Sequence, residues 1–147
     1  MVTALDVAAF ILKTCGKMTA MKLQKLVYYS QAWHLVWEEK PLFKDPIEAW
    51  ANGPVVPKLY NAHRGEFEVS EIPGGDAARL SAKQQASVEA VCKYYGKWTS
   101  QQLSDLTHQE APWRDARTGI PDGERGHGEV SPAALAEYYG GLSRKAQ

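Results

Sequence analysis

Apolar residues recur at helical spacing from the first residues of the chain. Residues 4–15 place their apolar side chains on one face of a helix. Thr3 can cap this helix, with Asp6 as its capping partner near the positive end of the helix dipole. Gly16 then ends the helix, because glycine readily adopts the left-handed conformation that follows a helix.

A second and longer helix is predicted from the cap at Thr19 to about Glu38. Its second half is apolar nearly all round and contains Tyr28, Tyr29 and Trp33. A helix with no polar face is typically buried on most sides. We therefore expect this segment to be the central helix of the fold.

The rest of the chain alternates short elements with turns. Residues 47–50 and 66–69 read as short extended segments that could pair in a small ribbon. The further helical segments are residues 57–64, a helix from Ser81 to Gly96, a helix from Thr99 to about His108, a turn at Trp113–Arg117, and a last helix opened by Ser131-Pro132 and closed by Gly140-Gly141.

These elements predict one mainly α domain over residues 1–147. We expect a compact bundle of about five to six helices around the buried, aromatic-rich central helix, with at most a short two-stranded ribbon. The length of 147 residues suffices for one domain with a real core. Hydrophobic residues make up 44% and charged residues 23%, as in ordinary globular proteins.

Composition narrows the class of function. The formal net charge is zero, so we predict neither direct nucleic-acid binding nor membrane binding. The N-terminal segment lacks the basic start of a signal peptide, and no apolar run approaches the length of a membrane span. Two isolated cysteines form no disulfide framework. A reduced, cytoplasmic protein is the expectation.

Four lysines lie together near the start of the chain, with no acidic residue between them. They are Lys13, Lys17, Lys22 and Lys25. Such a cluster favours a solvated helix edge, and it is also compatible with a site for an acidic partner. The sequence leaves both interpretations open.

His108 and Glu110 are the candidate pair for chemistry. They could act as a general base and an acid in a small hydrolase. Alternatively, His108 lies at a helix end, Glu110 bonds backbone amides before Pro112, and Trp113 packs into the core. No third ligand has the spacing for a metal site, and no phosphate-binding loop or serine elbow is present. We therefore predict no metal, no cofactor and no enzyme activity.

Three segments carry a family resemblance. Residues 21–35 read MKLQKLVYYSQAWHL, and residues 41–43 and 48–60 read PLF and EAWANGPVVPKLY. Residues 106–113 read LTHQEAPW. In order and spacing, these segments resemble the motifs of the Panacea domain family, which includes SocA-like and phage-associated GepA-like proteins.

The resemblance implies a bacterial antitoxin of a type II-like toxin–antitoxin pair. Such a protein neutralises a cognate protein toxin, encoded by the adjacent gene, by direct contact. An alternative that the resemblance also implies is a proteolytic adaptor that delivers the toxin to a Clp-type protease. Some relatives carry an added DNA-binding segment, for which there is no room before the first helix here. A homodimer is a further option, because the all-round apolar helix could be buried at a dimer contact.

The residues expected to bind the partner are exposed aromatic and basic side chains near the start of the central helix and in the Trp50 loop. They are Lys22, Lys25, Tyr29, Trp50 and Asn52. The remaining motif residues are predicted to be structural, and Ser30, Gln31 and His34 are expected to bond loop backbone, at the 50–57 turn. These structural residues are Gln31, His34, Gly53, Pro54, His108, Glu110, Pro112 and Trp113.

Overall fold

The computed structural model describes residues 1–146 and is mostly helical. Within these residues it contains seven α-helices and two small two-stranded sheets. The helices are α1 (Ala4–Cys15), α2 (Ala20–Glu38), α3 (Pro57–His63), α4 (Ala82–Tyr95), α5 (Ser100–Gln109), α6 (Ala111–Ala116) and α7 (Pro132–Lys145). The strands are β1 (Met18–Thr19), β2 (Glu48–Trp50), β3 (Gly53–Val55) and β4 (Glu68–Val69).

The prediction of a mainly α fold is confirmed, but the predicted five to six helices and single two-stranded ribbon were too few, since residues 1–146 form seven helices and two such sheets. The turn at Trp113–Arg117 belongs to the separate helix α6, which follows α5 directly. The last helix continues past Gly140-Gly141 to Lys145. Gly140 is buried there, and a Cβ at this position would meet only the Arg144 side chain of the same helix, at 3.5 Å.

The predicted pairing of residues 47–50 with 66–69 is wrong. β2 instead folds back on β3 through the turn at Ala51-Asn52, with Trp50 opposite Gly53. β4 pairs with β1, the extended link that precedes α2. A hairpin closed by a two-residue turn loses less chain entropy than a longer connection, which favours the local pairing.

The central position of α2 is confirmed. Thirteen of its nineteen residues are buried, and it packs against α1, α4, α5 and α7. Predicted caps hold the helix starts: the side chains of Thr3, Thr19, Ser81, Thr99 and Ser131 each accept a backbone N–H of the first turn. No helix within residues 1–146 is both long and apolar enough to cross a membrane.

Buried amides on α2 fix the loops that surround it. Gln31 accepts the Leu42 N–H at 2.7 Å and donates to the Phe43 carbonyl at 2.7 Å. Gln24 makes the corresponding pair of bonds with the backbone of Val56. Gln31 therefore bonds loop backbone as expected, but not in the 50–57 turn, which Gln24 serves instead. For Ser30 and His34 the expectation was wrong, because Ser30 donates to the Leu26 carbonyl of its own helix and His34 bonds the Ser87 hydroxyl at 2.8 Å.

Candidate functional site

An open cleft lies beside the β2–β3 hairpin and has a volume of about 510 Å³. The rings of Trp50 and Tyr60 meet edge to face in this cleft, with centroids 5.0 Å apart. The indole of Trp50 donates to Glu48 at 2.8 Å, and its backbone carbonyl accepts the Trp113 indole N–H at 2.8 Å. The hairpin therefore holds Trp50 half-exposed in a fixed orientation.

Basic side chains stand at the mouth of this cleft. Arg64, Arg125 and His127 are all exposed and line it together with the exposed side chain of Asn52. No acidic side chain lines the cleft within residues 1–146, although Glu48 lies beside it and contacts His127 at 3.3 Å. We call this surface the Trp50 cleft; its main residues are Trp50, Asn52, Tyr60, Arg64, Arg125 and His127.

Lys22 lies half-buried at the start of α2, outside the Trp50 cleft. Its ammonium group donates to the Gly96 carbonyl. It therefore links α2 to the end of α4. A contact between Lys22 and a partner stays a prediction.

The prediction that Lys25 is exposed is wrong. Its side chain is 1% exposed, and its Nζ has no hydrogen-bond partner among residues 1–146. β3 and α5 cover this face of α2, and a Cβ on Gly53 would overlap Cε of Lys25. Gly53 has φ +127°, so it combines a conformation that favours glycine with the space for the buried lysine. Burial lowers the pKa of Lys25 to about 7.

Tyr29 is also buried, contrary to the prediction that it is exposed. Its hydroxyl donates to Oε1 of Glu110 at 2.7 Å, and the hydroxyl of Tyr139 donates to the same oxygen at 2.7 Å. Glu110 therefore bonds two phenols, and the expectation that it bonds backbone amides was wrong. Burial raises the pKa of Glu110, and the two phenol hydrogen bonds oppose that rise.

His108 and Glu110 are engaged with different neighbours. The ring of His108 stacks on Trp113, with centroids 3.9 Å apart, and its Nε2 is buried without a partner in the described chain. Trp113 is buried, as predicted. The pKa of His108 is lower than that of an ordinary histidine, mainly because the ring is partly buried. Within residues 1–146, no group of three histidine, cysteine or carboxylate side chains is placed to hold a metal ion.

A second open surface was not predicted from the sequence. It is a groove of about 570 Å³ between α2, α4 and α7. Five of its twelve lining residues are aromatic, and one, Glu110, carries a carboxylate that is almost buried. We call it the aromatic groove, defined by Trp33, Trp37, Tyr94, Tyr95, Trp98 and Glu110.

Two sequence signals pointed to the aromatic groove. Trp37 continues the apolar surface of α2 beyond the part that its neighbours cover, and it is 44% exposed. The adjacent tyrosines Tyr94 and Tyr95 gave a similar signal, because neighbouring residues on a helix cannot share one buried face. Arg64 and Arg125 gave no such signal, since only the fold brings them together.

These features describe a helical domain whose titratable motif residues are packed inside and whose aromatic side chains line two open surfaces. The model of the SocA-like antitoxin family, Panacea domain, matches residues 23–114. Because this match covers more than half of the chain, the chain belongs to that antitoxin family, and the resemblance of the three motifs is confirmed. No curated protein and no solved structure matches the chain.

Proposed function

We propose that this chain neutralises a cognate protein toxin, encoded by the adjacent gene, by binding it directly through the Trp50 cleft. Membership of the SocA-like antitoxin family supports a toxin as the partner. The observation that carries the choice of surface is the position of the motif residues Trp50, Asn52 and Tyr60. They belong to the family segment, yet they line an open cleft rather than the core.

The chemistry of the Trp50 cleft suits a protein segment with acidic residues. Aromatic side chains bury a large area with few rotatable bonds, so they bind at a low cost in conformational entropy. Arg64 and Arg125 add positive charge at the mouth, although the chain as a whole has no net charge. Complementary charge of this kind speeds association and aligns the partner.

The packing of the motif residues argues against the alternative of a small hydrolase. A general base and acid must reach substrate in an accessible pocket. Glu110 bonds two tyrosines and lines the aromatic groove, whereas His108 lies flat on Trp113 and is not among the lining residues of that groove, so the two side chains do not converge on one substrate. Family membership likewise implies a non-enzymatic role.

Charge reversal at the mouth of the Trp50 cleft tests the proposal. The toxin gene next to this chain is expressed with the native chain, with the double variant Arg64→Glu/Arg125→Glu, or with Lys58→Glu. Lys58 is an exposed basic residue of α3 that does not line the cleft, so it is a matched control. We expect the double variant to bind toxin at least about tenfold more weakly and to lose neutralisation, because like charges then face each other. Lys58→Glu should neutralise as the native chain does.

The same experiment in a host without Clp-type proteases separates direct neutralisation from proteolytic delivery. Neutralisation that persists there, with a stable complex of purified proteins, supports the proposal. Neutralisation that requires the protease supports the adaptor alternative and overturns the proposal. A neighbouring gene product that is harmless alone would also overturn it.

A further inference from the structure

Exposed apolar side chains concentrate around the aromatic groove. Five large apolar side chains are exposed within residues 1–146, and three of them line this groove: Trp37 at 44%, Tyr94 at 63% and Leu142 at 36%. A soluble domain rarely exposes neighbouring large apolar groups without a binding role. The groove shares no lining residue with the Trp50 cleft in the described part of the chain, so it is a separate surface.

The walls of the groove present ring faces and edges in a fixed arrangement. Trp33 and Trp37 stack with centroids 5.7 Å apart, and the Trp33 indole donates to the Tyr95 hydroxyl at 3.0 Å. Tyr94 and Trp98 each meet the ring of Tyr95 edge to face, with centroids 4.7 Å and 6.2 Å apart. Aromatic faces attract cations through their quadrupole, and a planar guanidinium can also stack on them.

A carboxylate lies at the base of these walls. Glu110 is the single charged residue among the groove's lining residues described here. Its Oε1 accepts both phenol hydrogen bonds, whereas Oε2 accepts none from residues 1–146. A desolvated carboxylate with a free oxygen gains most from a cationic hydrogen-bond donor. A purely apolar occupant would leave this oxygen without a partner, at a cost in free energy.

We infer that the aromatic groove binds an arginine side chain carried on an apolar segment of a protein partner. The guanidinium meets Oε2 of Glu110, and the apolar neighbours of the arginine cover Trp37 and Leu142. The charge of Glu110 and the aromatic walls select this occupant together, because guanidinium is weakly hydrated, planar and always charged. The identity of the partner as the toxin rests on the proposed function, but the chemistry of the groove does not.

The pH dependence of binding follows from the surroundings of Glu110. Burial raises the pKa of every phenol that interacts with it, so these phenols stay neutral and Glu110 is the group that changes charge. The phenols are those of Tyr28 and Tyr29 from α2, Tyr95 from α4, and Tyr138 and Tyr139 from α7. Affinity for arginine should rise with pH as Glu110 ionises, and then level off.

Two short peptides test the inference without any toxin. The probe is the blocked peptide Ala-Leu-Arg-Leu-Ala, and its matched control carries citrulline, a neutral and nearly isosteric residue, in place of arginine. Binding is followed by calorimetry and by the indole N–H resonances in NMR spectra. We expect the arginine peptide to shift the resonances of Trp33, Trp37 and Trp98, while those of Trp50 and Trp113 stay unchanged. The citrulline peptide should bind at least about tenfold more weakly than the arginine peptide, because it lacks the charge-assisted hydrogen bond.

Variants of the groove complete the test. Glu110→Gln keeps an oxygen acceptor for both phenols, so we expect a folded protein that loses arginine preference and the rise of affinity with pH. Trp37→Ala removes an exposed wall and should weaken binding of both peptides, whereas Phe67→Ala, at a residue that is 80% exposed outside the groove, should change neither. Equal binding of the two peptides to the native chain, or no binding of the arginine peptide, would overturn the inference. Failure of the Arg64/Arg125 experiment would instead affect only the proposed function.

Discussion

At the scale of single residues, Lys25 shows how packing can override a pattern of charge. Its neighbours in sequence, Lys22 and Lys17, led to the expectation of a solvated basic edge. In the fold, the absence of a side chain at Gly53 leaves room for Lys25 under β3, where its Nζ finds no acceptor in the described chain. A sequence cannot predict this, because a glycine in a turn gives no sign of which distant side chain fills its space.

The buried amine of Lys25 makes the stability of the fold depend on pH. Its pKa is about 7 in the folded chain and 10.5 ordinarily. Between these values the unfolded chain keeps a proton that the folded chain has released, so the free energy of unfolding rises with pH across this window. Below the window both states are protonated and this contribution is constant.

Replacing Lys25 by methionine keeps the apolar stem and removes the amine. We expect Lys25→Met to raise the free energy of unfolding at neutral pH by about 1–3 kcal/mol, because a buried donor without an acceptor costs that much. The variant should also lose the rise with pH. Urea unfolding at several pH values measures both effects. Lys22→Met is the matched control. It removes a lysine that bonds the Gly96 carbonyl but leaves Lys25 in place, so the rise of stability with pH should remain. A less stable Lys25→Met chain would contradict the prediction.

At the scale of elements, the helices were predictable where their signals are local. Caps such as Thr3, Ser81 and Thr99 lie next to the helices that they start, and the all-round apolar stretch of α2 marked the central helix. Strand pairing was not predictable in the same way, because the 47–50 and 66–69 segments each had a nearer partner that only the turn geometry reveals. The chain through Gly140-Gly141 also stayed helical, since tertiary packing outweighs the intrinsic cost of glycine there.

The bonds of Glu110 connect three elements, and this connection can be tested directly. Tyr29 of α2 and Tyr139 of α7 both donate to the carboxylate at the start of α6. We expect Glu110→Ala to lower the free energy of unfolding by about 2–4 kcal/mol, because two buried hydroxyls lose their acceptor and a cavity forms. Glu110→Gln should change it by less than about 1 kcal/mol at neutral pH, since its amide oxygen still accepts both bonds.

The same pair of variants reveals the charge of Glu110. Because its pKa is raised in the folded chain, the folded state holds a proton that the unfolded state releases above its ordinary value of 4.5. The contribution of Glu110 to stability is therefore present at low pH and is lost as pH rises through the folded-state pKa. Comparing thermal unfolding of the native chain and Glu110→Gln across this range should show a difference that varies with pH. A constant difference would mean that Glu110 titrates alike in both states.

At the scale of the whole molecule, a net charge of zero conceals two surfaces of opposite character. The Trp50 cleft has arginines at its mouth, and the aromatic groove has a carboxylate at its base. The sequence allowed Trp50 and Asn52 to be singled out, because they lie in one motif. It did not reveal the groove, whose walls come mainly from α2, α4 and α7. It also did not reveal that Arg64 and Arg125, which are far apart in sequence, line the same cleft.

If both surfaces contact the same toxin, their contributions should add. Residues without shared partners usually act independently on a binding free energy, to within about 0.5 kcal/mol. We expect Arg64→Glu mainly to slow association and to weaken its salt dependence, since the charge at the mouth of a cleft acts during approach. Trp37→Ala should mainly speed dissociation, because an apolar contact is lost after docking.

A double-mutant cycle measures this directly. Association and dissociation rates are determined by surface plasmon resonance for the native chain, Arg64→Glu, Trp37→Ala and the double variant, each with purified toxin. One toxin that spans two independent surfaces predicts that the losses of binding free energy in the two single variants add up in the double variant. It also predicts that Arg64→Glu acts mainly on the association rate and Trp37→Ala mainly on the dissociation rate. Strong non-additivity would mean that the surfaces are coupled through the fold. A Trp37→Ala chain that binds toxin like the native chain would instead leave the groove to a different partner, because the arginine preference of the groove is tested separately by the peptides.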